Sequence, residues 1–198
     1  ADTIFGHMSG FEKFDYIISN PPYFKLAKDD IHTRSCASIV DGQTNIYAMF
    51  MAICAKLLAE DGQMIFIIPR SFASGRYFQS FRDFLFQHVS ICLIHLFNTR
   101  KDTFAKDEVL QELVIRHMVP AGNSERIIVS YSQGVSDLDH PYQKEYDASE
   151  IVDVSSNEKV VYLPVNGRDE AILSLFRSWD GNMEKYGIEI STGPVVAF

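Results

Sequence analysis

The chain has 198 residues, room for one domain or one and a half, and its 46% hydrophobic and 13% aromatic content is ample for a packed core. A formal net charge of −8 excludes a surface that is basic throughout, so a nucleic-acid contact would need a local basic patch or, as expected here, regions beyond these residues. No apolar run is long enough to span a bilayer, no basic-then-apolar leader opens the chain, and three isolated cysteines (Cys36, Cys54, Cys92) form no disulfide framework, which points to a reducing cytoplasm.

Residues 1–12 read as a short lead. Phe14 to Ser19 is rich in β-branched and aromatic residues and predicts a short buried strand. Pro21 cannot donate to a sheet ladder and pushes Asn20 out of the helical region, so the strand stops there. In a parallel α/β sheet, ligands gather beyond the carboxyl ends of strands, and Asn20-Pro21-Pro22-Tyr23 falls on that rim. The stiff turn offers two acceptors, the Asn20 side-chain oxygen and the Pro21 carbonyl, which can grip both hydrogens of one planar amino group. Tyr23 supplies a flat face for a ring to stack on. Drawing on those two hydrogens favours the pyramidal amine that can attack, which is stabilisation specific to the transition state.

Residues 24–43 are polar and aperiodic and read as a long loop, either closing over a substrate base or simply mobile. Residues 45–60 form the clearest helix, with Ile46, Met49, Phe50, Ile53, Leu57 and Leu58 as its packed face. Thr44 or Asn45 is placed to cap its start and Gly62 its end. Met64 to Ile68 is a buried strand stopped by Pro69, completing a βαβ unit. Arg70 then sits on the same rim as Tyr23, either to meet a phosphate or to pair with a local carboxylate. A helix carrying Phe78, Phe81 and Leu85 follows, with strands at Ser90–Phe97 and Val109–Val119. After Pro120 come a turn at Ala121–Ser124, a strand at Arg126–Ser132 and a loop over 133–150. A short strand at Val160–Leu163 precedes a helix starting near Arg168, whose face is Ile172, Leu175, Phe176 and Trp179. The six histidines show no ligand spacing with the cysteines, and no metal is expected.

Asn20-Pro21-Pro22-Tyr23 after an apolar strand resembles the catalytic motif of S-adenosylmethionine-dependent amino-methyltransferases, above all those that methylate N6 of adenine in DNA. Glutamine methyltransferases of release factors and some ribosomal-RNA guanine methyltransferases share those four residues. Asn45-Ile46-Tyr47-Ala48-Met49-Phe50, Ile68-Pro69-Arg70-Ser71-Phe72, Asn98 to Phe104 and Val109-Leu110-Gln111-Glu112 look jointly like the larger adenine methyltransferases of restriction–modification and phage-defence systems. There, methyltransferase and specificity regions share one chain. The resemblance implies an α/β fold: a partial Rossmann-like methyltransferase fold holding the later half of the sheet, with a small α+β C-terminal extension. Residues 1–120 would be the catalytic part. Residues 121–198 would lead towards target recognition, which the tail Ser191–Phe198 resembles.

The resemblance makes Asn20, Pro21, Pro22 and Tyr23 the catalytic residues, S-adenosylmethionine the cofactor and duplex DNA the partner, with a specificity or restriction region possible on the same chain. Asp2 resembles the acidic residue that contacts the cofactor's adenine, and a solvated terminal Asp is the equal alternative. The family's glycine-rich cofactor turn lies upstream of the Asn-Pro-Pro-Tyr motif and is not found here. These 198 residues alone are therefore expected neither to bind the cofactor tightly nor to methylate. Two further readings stand beside this one: a methyltransferase acting on a protein glutamine or an RNA guanine, and a binding module without catalysis.

Overall fold

The computed structural model describes residues 12–36, 39, 45–97, 112–181, 183 and 185–189. The chain divides into two compact units, Ala1–Leu163 and Pro164–Phe198. The first is built on a six-stranded sheet: β1 (Phe14–Ser19), β2 (Leu58–Pro69), β3 (Val89–Phe97), β4 (Leu113–Pro120), β5 (Arg126–Ser132) and β6 (Tyr142–Asp147). The spatial order is β1-β2-β4-β3-β5-β6. Strands β1 and β2 are parallel, as are β3 and β5, while β4 runs antiparallel to both β2 and β3, and β6 antiparallel to β5. The α/β class and the βαβ unit across β1 and β2 are as expected. The sheet itself continues past Pro120 through β5 and β6.

One face of the sheet carries helices α2 (Ile46–Leu57) and α3 (Gln79–His88). Under them β2 buries Met64, Phe66 and Ile68, β4 buries Val114, Arg116 and Met118, and β3 buries Ile94. Alternation is the cause: with period two, every second side chain of β2 enters the core, whereas Gln63 and Ile65 lie on the open face. Each fully buried Phe, Met or Ile contributes about 1.5–3 kcal/mol of transfer free energy.

Several expectations are corrected. Among the described residues, strand β1 stands at the edge of the sheet rather than buried within it: Tyr16 is 75% and Ile18 80% exposed. Its ladder there is with β2, and the register pairing Tyr16 with Gln63 and Ile18 with Ile65 puts both on the face that α2 and α3 do not cover. The buried face of α2 is Tyr47, Ala48, Met51, Ala52 and Ala55 together with Met49, while Phe50 is 42% exposed. The small side chains let the helix lie close to the sheet, and a helix apolar on nearly every side does not advertise which stripe packs.

Gly62 is not a helix cap, because α2 ends at Leu57 and runs directly into β2. It sits where the β1–β2 register shifts between Phe14 and Tyr16, and a Cβ there would stand 2.9 Å from the Phe14 carbonyl oxygen. The stretch 24–43 contains a short helix, α1 (Ile31–Ser35), opened by the Asp30 side chain accepting from His32 N–H at 2.8 Å. Within 133–150, expected as loop, lie β6 and a one-turn helix, α4 (Ala148–Ile151), with a reciprocal cap between Asp147 and Glu150. Val160–Leu163 forms a single bridge, Val152 to Val161, in place of a strand.

In the second unit, α5 (Gly167–Arg177) begins one residue before Arg168, with the Asn166 side chain accepting from Arg168 and Asp169 N–H. Among the described residues no helix is long and apolar enough to cross a membrane, and Cys36, Cys54 and Cys92 are all free thiols.

Candidate active site

Strands β1 and β2 point the same way and deliver two corners to one rim. The first corner is Asn20-Pro21-Pro22-Tyr23, directly after Ser19, which pairs with Phe66 of β2. Asn20 and Pro22 are exposed, Pro21 is buried and Tyr23 is half-buried. Asn20 is thus open to solvent on the rim rather than buried in the interior. The Tyr23 phenol donates to Asn20 Oδ1 and to the Ile67 carbonyl at 2.9 Å, its single hydrogen shared between them. Two things follow. The bend is tied to β2 through a side chain where the prolines leave no backbone donor. And the Asn20 oxygen, with two lone pairs, keeps one for a further donor. Burial pushes the Tyr23 phenol up to about 12, so it remains a neutral donor across the physiological range.

Beneath Tyr23 runs a row of rings. Tyr47 of α2 meets it edge-on, with centroids 6.4 Å apart, and Tyr47 stacks on Phe78 at 5.6 Å. The Tyr47 hydroxyl lies 3.3 Å from Ser71 Oγ. These contacts join the first corner to the second, a one-turn 3-10 helix at Arg70–Ala73.

Arg82 of α3 braces that second corner. It is 1% exposed, donates from one terminal nitrogen to the Phe72 and Gly75 carbonyls, both at 2.9 Å, and from Nε to the Glu158 carbonyl at 2.8 Å. The same corner takes a backbone bond from Val161 N–H to the Ala73 carbonyl at 2.8 Å. Residues far along the chain therefore hold the wall of the site.

Beside the second corner opens a cavity of about 590 Å³ lined by Lys25, Asn45, Arg70, Ser71, Tyr77 and Glu112, among others. Of the two expectations for Arg70, the structure displays the carboxylate pairing: its guanidinium is 3.1 Å from Glu112, and both side chains are well exposed. Lys25 lies over the Tyr77 ring at 5.6 Å. Asn45 occupies the N-cap position of α2 but makes no side-chain capping bond, and its buried amide oxygen has no hydrogen-bond partner. The segment after Tyr23 is stitched to this helix start by an Ile46 N–H to Phe24 carbonyl bond of 3.0 Å and a bridge between Lys25 and Asn45.

Of the residues singled out from sequence, the structure brings Asn20, Pro21, Pro22, Tyr23 and Arg70 to one rim. Asp2, Asn98–Phe104 and the tail Ser191–Phe198 lie outside the described residues. Sequence reasoning missed Arg82 and Arg116, and Asn45, expected as a helix cap, stands at the N-cap without making the side-chain bond. Arg82 falls at the i+4 place of the very stripe that begins at Phe78 and continues through Phe81 and Leu85, so a cation inside an apolar stripe was the available signal. Arg116 sits at an inward position between Val114 and Met118, and its guanidinium stacks 3.8 Å from the Phe72 ring.

Comparison with known proteins bears on this arrangement. The Eco57I restriction-modification methylase family model matches residues 2–104. The type II methyltransferase M.BsuBI of Bacillus subtilis is 34% identical over 192 residues, 94% of this chain and 37% of that protein. M.PstI of Providencia stuartii is 30% identical over 186 residues, again 94% of this chain and 37% of that protein. The chain thus spans little more than a third of the length of these curated relatives. The fold is similar to that of the type IIG restriction endonuclease BpuSI, with a TM-score of 0.56 at 17% identity over 74% of this chain and 20% of that one. It is also similar to the M protein of the type I restriction enzyme EcoKI, with a TM-score of 0.54 at 11% identity over 89% of this chain and 52% of that one. The expected methyltransferase fold is therefore the one observed, and the match over 2–104 of 198 residues shows that the chain belongs to the Eco57I restriction-modification methylase family.

Proposed function

We propose that the chain carries the amine-gripping part of a site-specific DNA methyltransferase that transfers a methyl group from S-adenosylmethionine to N6 of an adenine flipped out of the duplex. It would serve a restriction–modification or phage-defence system in the cytoplasm. Residues 1–120 are assigned to the catalytic domain and 121–198 to the extension towards target recognition. The observation that carries the reading is Asn20, exposed on the carboxyl rim of the sheet with its oxygen oriented by Tyr23.

In this mechanism the flipped adenine, extruded at a cost of a few kcal/mol in lost stacking and pairing, lies against the Tyr23 ring. The Asn20 amide oxygen and the Pro21 carbonyl accept the two N6 hydrogens. That pull localises the nitrogen lone pair and directs it away from the rim. Pro21 and Pro22 hold the two oxygens at a fixed separation, so orientation is set before the reaction rather than during it. Asn20 and Tyr23 are both neutral at physiological pH, so the rate does not follow the titration of either. The described residues fit the amine side of the reaction. They contain no glycine-rich turn to cradle the cofactor, and Asp2, proposed for its adenine, lies outside them. When bound, the cofactor supplies an electrophilic sulfonium methyl.

The test is Asn20→Ala in the intact protein, assayed for N6-methyladenine in duplex DNA. Losing one preorganised polar contact to the reacting group lowers kcat by about 10²–10³-fold. A rate near wild type removes the mechanism. Running duplex DNA, structured RNA and a glutamine-bearing protein side by side decides whether the amine is adenine, guanine or a glutamine amide. Silence on all three favours a binding module.

A further inference from the structure

We infer that the cavity beside the second corner is a binding site for one backbone phosphate of the duplex. The inference rests on the DNA-methyltransferase reading and adds to it a contact that holds the strand.

The charge problem leads there. With a net charge of −8, any hold that these residues themselves have on DNA comes through a few placed cations. Lys25 and Arg70 both line this cavity, on the rim that carries Asn20. Its volume of about 590 Å³ lies within the range of small-ligand sites, roughly 300–1,000 Å³. Lys25 follows the Asn-Pro-Pro-Tyr turn by two residues.

The present partners of these groups are weak competitors. Arg70 and Glu112 have side chains 48% and 37% exposed, and an ion pair that open adds little. A phosphate offers the guanidinium two oxygens in fork geometry, which is stronger. Asn45 and Ser71 line the same space, and the Asn45 NH2 and the Ser71 hydroxyl are donors of the kind a phosphate oxygen accepts from.

The experiment measures affinity of the intact protein for a short labelled duplex carrying the methylated site, across a salt series. Lys25→Gln should weaken binding about tenfold, equally for cognate and non-cognate duplexes, and should reduce the slope of log K against log salt by about one. Glu112→Gln, which removes the competing carboxylate, should tighten binding. Thermal melts establish that each variant folds as wild type does. An unchanged salt slope in Lys25→Gln, or weaker binding in Glu112→Gln, overturns the site while leaving methyl transfer by wild type intact. A wild-type protein that modifies no duplex DNA overturns the functional reading and this inference with it.

Discussion

Replacing Arg116 by methionine should make the protein more stable. The guanidinium is fully buried on β4, across from Phe66 and Ile94, and none of its three nitrogens has a hydrogen-bond partner among the described residues. Burial lowers its pKa from the ordinary arginine value to about 9. At about 1.36 kcal/mol per pH unit, that is roughly 5 kcal/mol of unfavourable charge burial. The Phe72 face, 3.8 Å away, returns on the order of 2 kcal/mol as a desolvated cation–π contact. Methionine has a similar reach and no charge, and the expected gain is about 1–4 kcal/mol. Urea unfolding should show a higher midpoint at unchanged m-value. The pH dependence adds a second check. Burial lowers the folded Arg116 pKa to about 9, well below that of the unfolded residue. The unfolded state therefore binds more protons between those values, and wild-type stability rises as pH climbs through about 9, narrowing the gap to Arg116→Met. A loss of more than about 1 kcal/mol in the variant, or a gap that stays constant from about pH 8 to about pH 10, would refute the reasoning.

Arg82→Met should act the other way. It strands the buried Phe72 carbonyl and loosens the corner holding Ser71, for a loss of about 2–4 kcal/mol in urea unfolding and a lower melting temperature. Near-neutral behaviour would mean the corner does not depend on that brace. His95 sits buried between Ser130 Oγ at 2.8 Å and Ser132 Oγ at 3.0 Å, and the Ser132 hydrogen is committed to the Gly134 carbonyl. Its Nε2 must then donate and its Nδ1 accept, a neutral ring whose pKa burial lowers, with Asp137 opposing. Stability contributed by this site is complete above about pH 6.5 and lost as pH falls below it, since the unfolded state takes the proton first. Unfolding midpoints measured from pH 8 down to about pH 5 should fall in wild type and fall less in His95→Gln. An equal fall in both sinks the assignment.

Much of the rim was legible because proline is unambiguous. Pro21 ends β1 and Pro69 ends β2, and two parallel strands stopped by prolines put their successors side by side. What escaped was the work of polar groups in apolar patterns. Arg82 and Arg116 occupy places where periodicity asks for a hydrophobe, and pattern reading passes over such residues because it has no term for a carbonyl cage or a ring face. Strand β6 was missed for the opposite reason. Five of its six residues are exposed, and it is held by its ladder to β5 and by Arg126 paired with Asp147 and Glu145. An edge strand stabilised that way shows no alternation of hydropathy. The cap at Asp147 and Glu150, spaced three apart, was readable and marks the start of α4.

The bend bearing Asn20 hangs from a strand that, among the described residues, is laddered on one side alone, and its other flank exposes Tyr16 and Ile18. A backbone pairing along that flank would stiffen the bend without touching Asn20 or Tyr23.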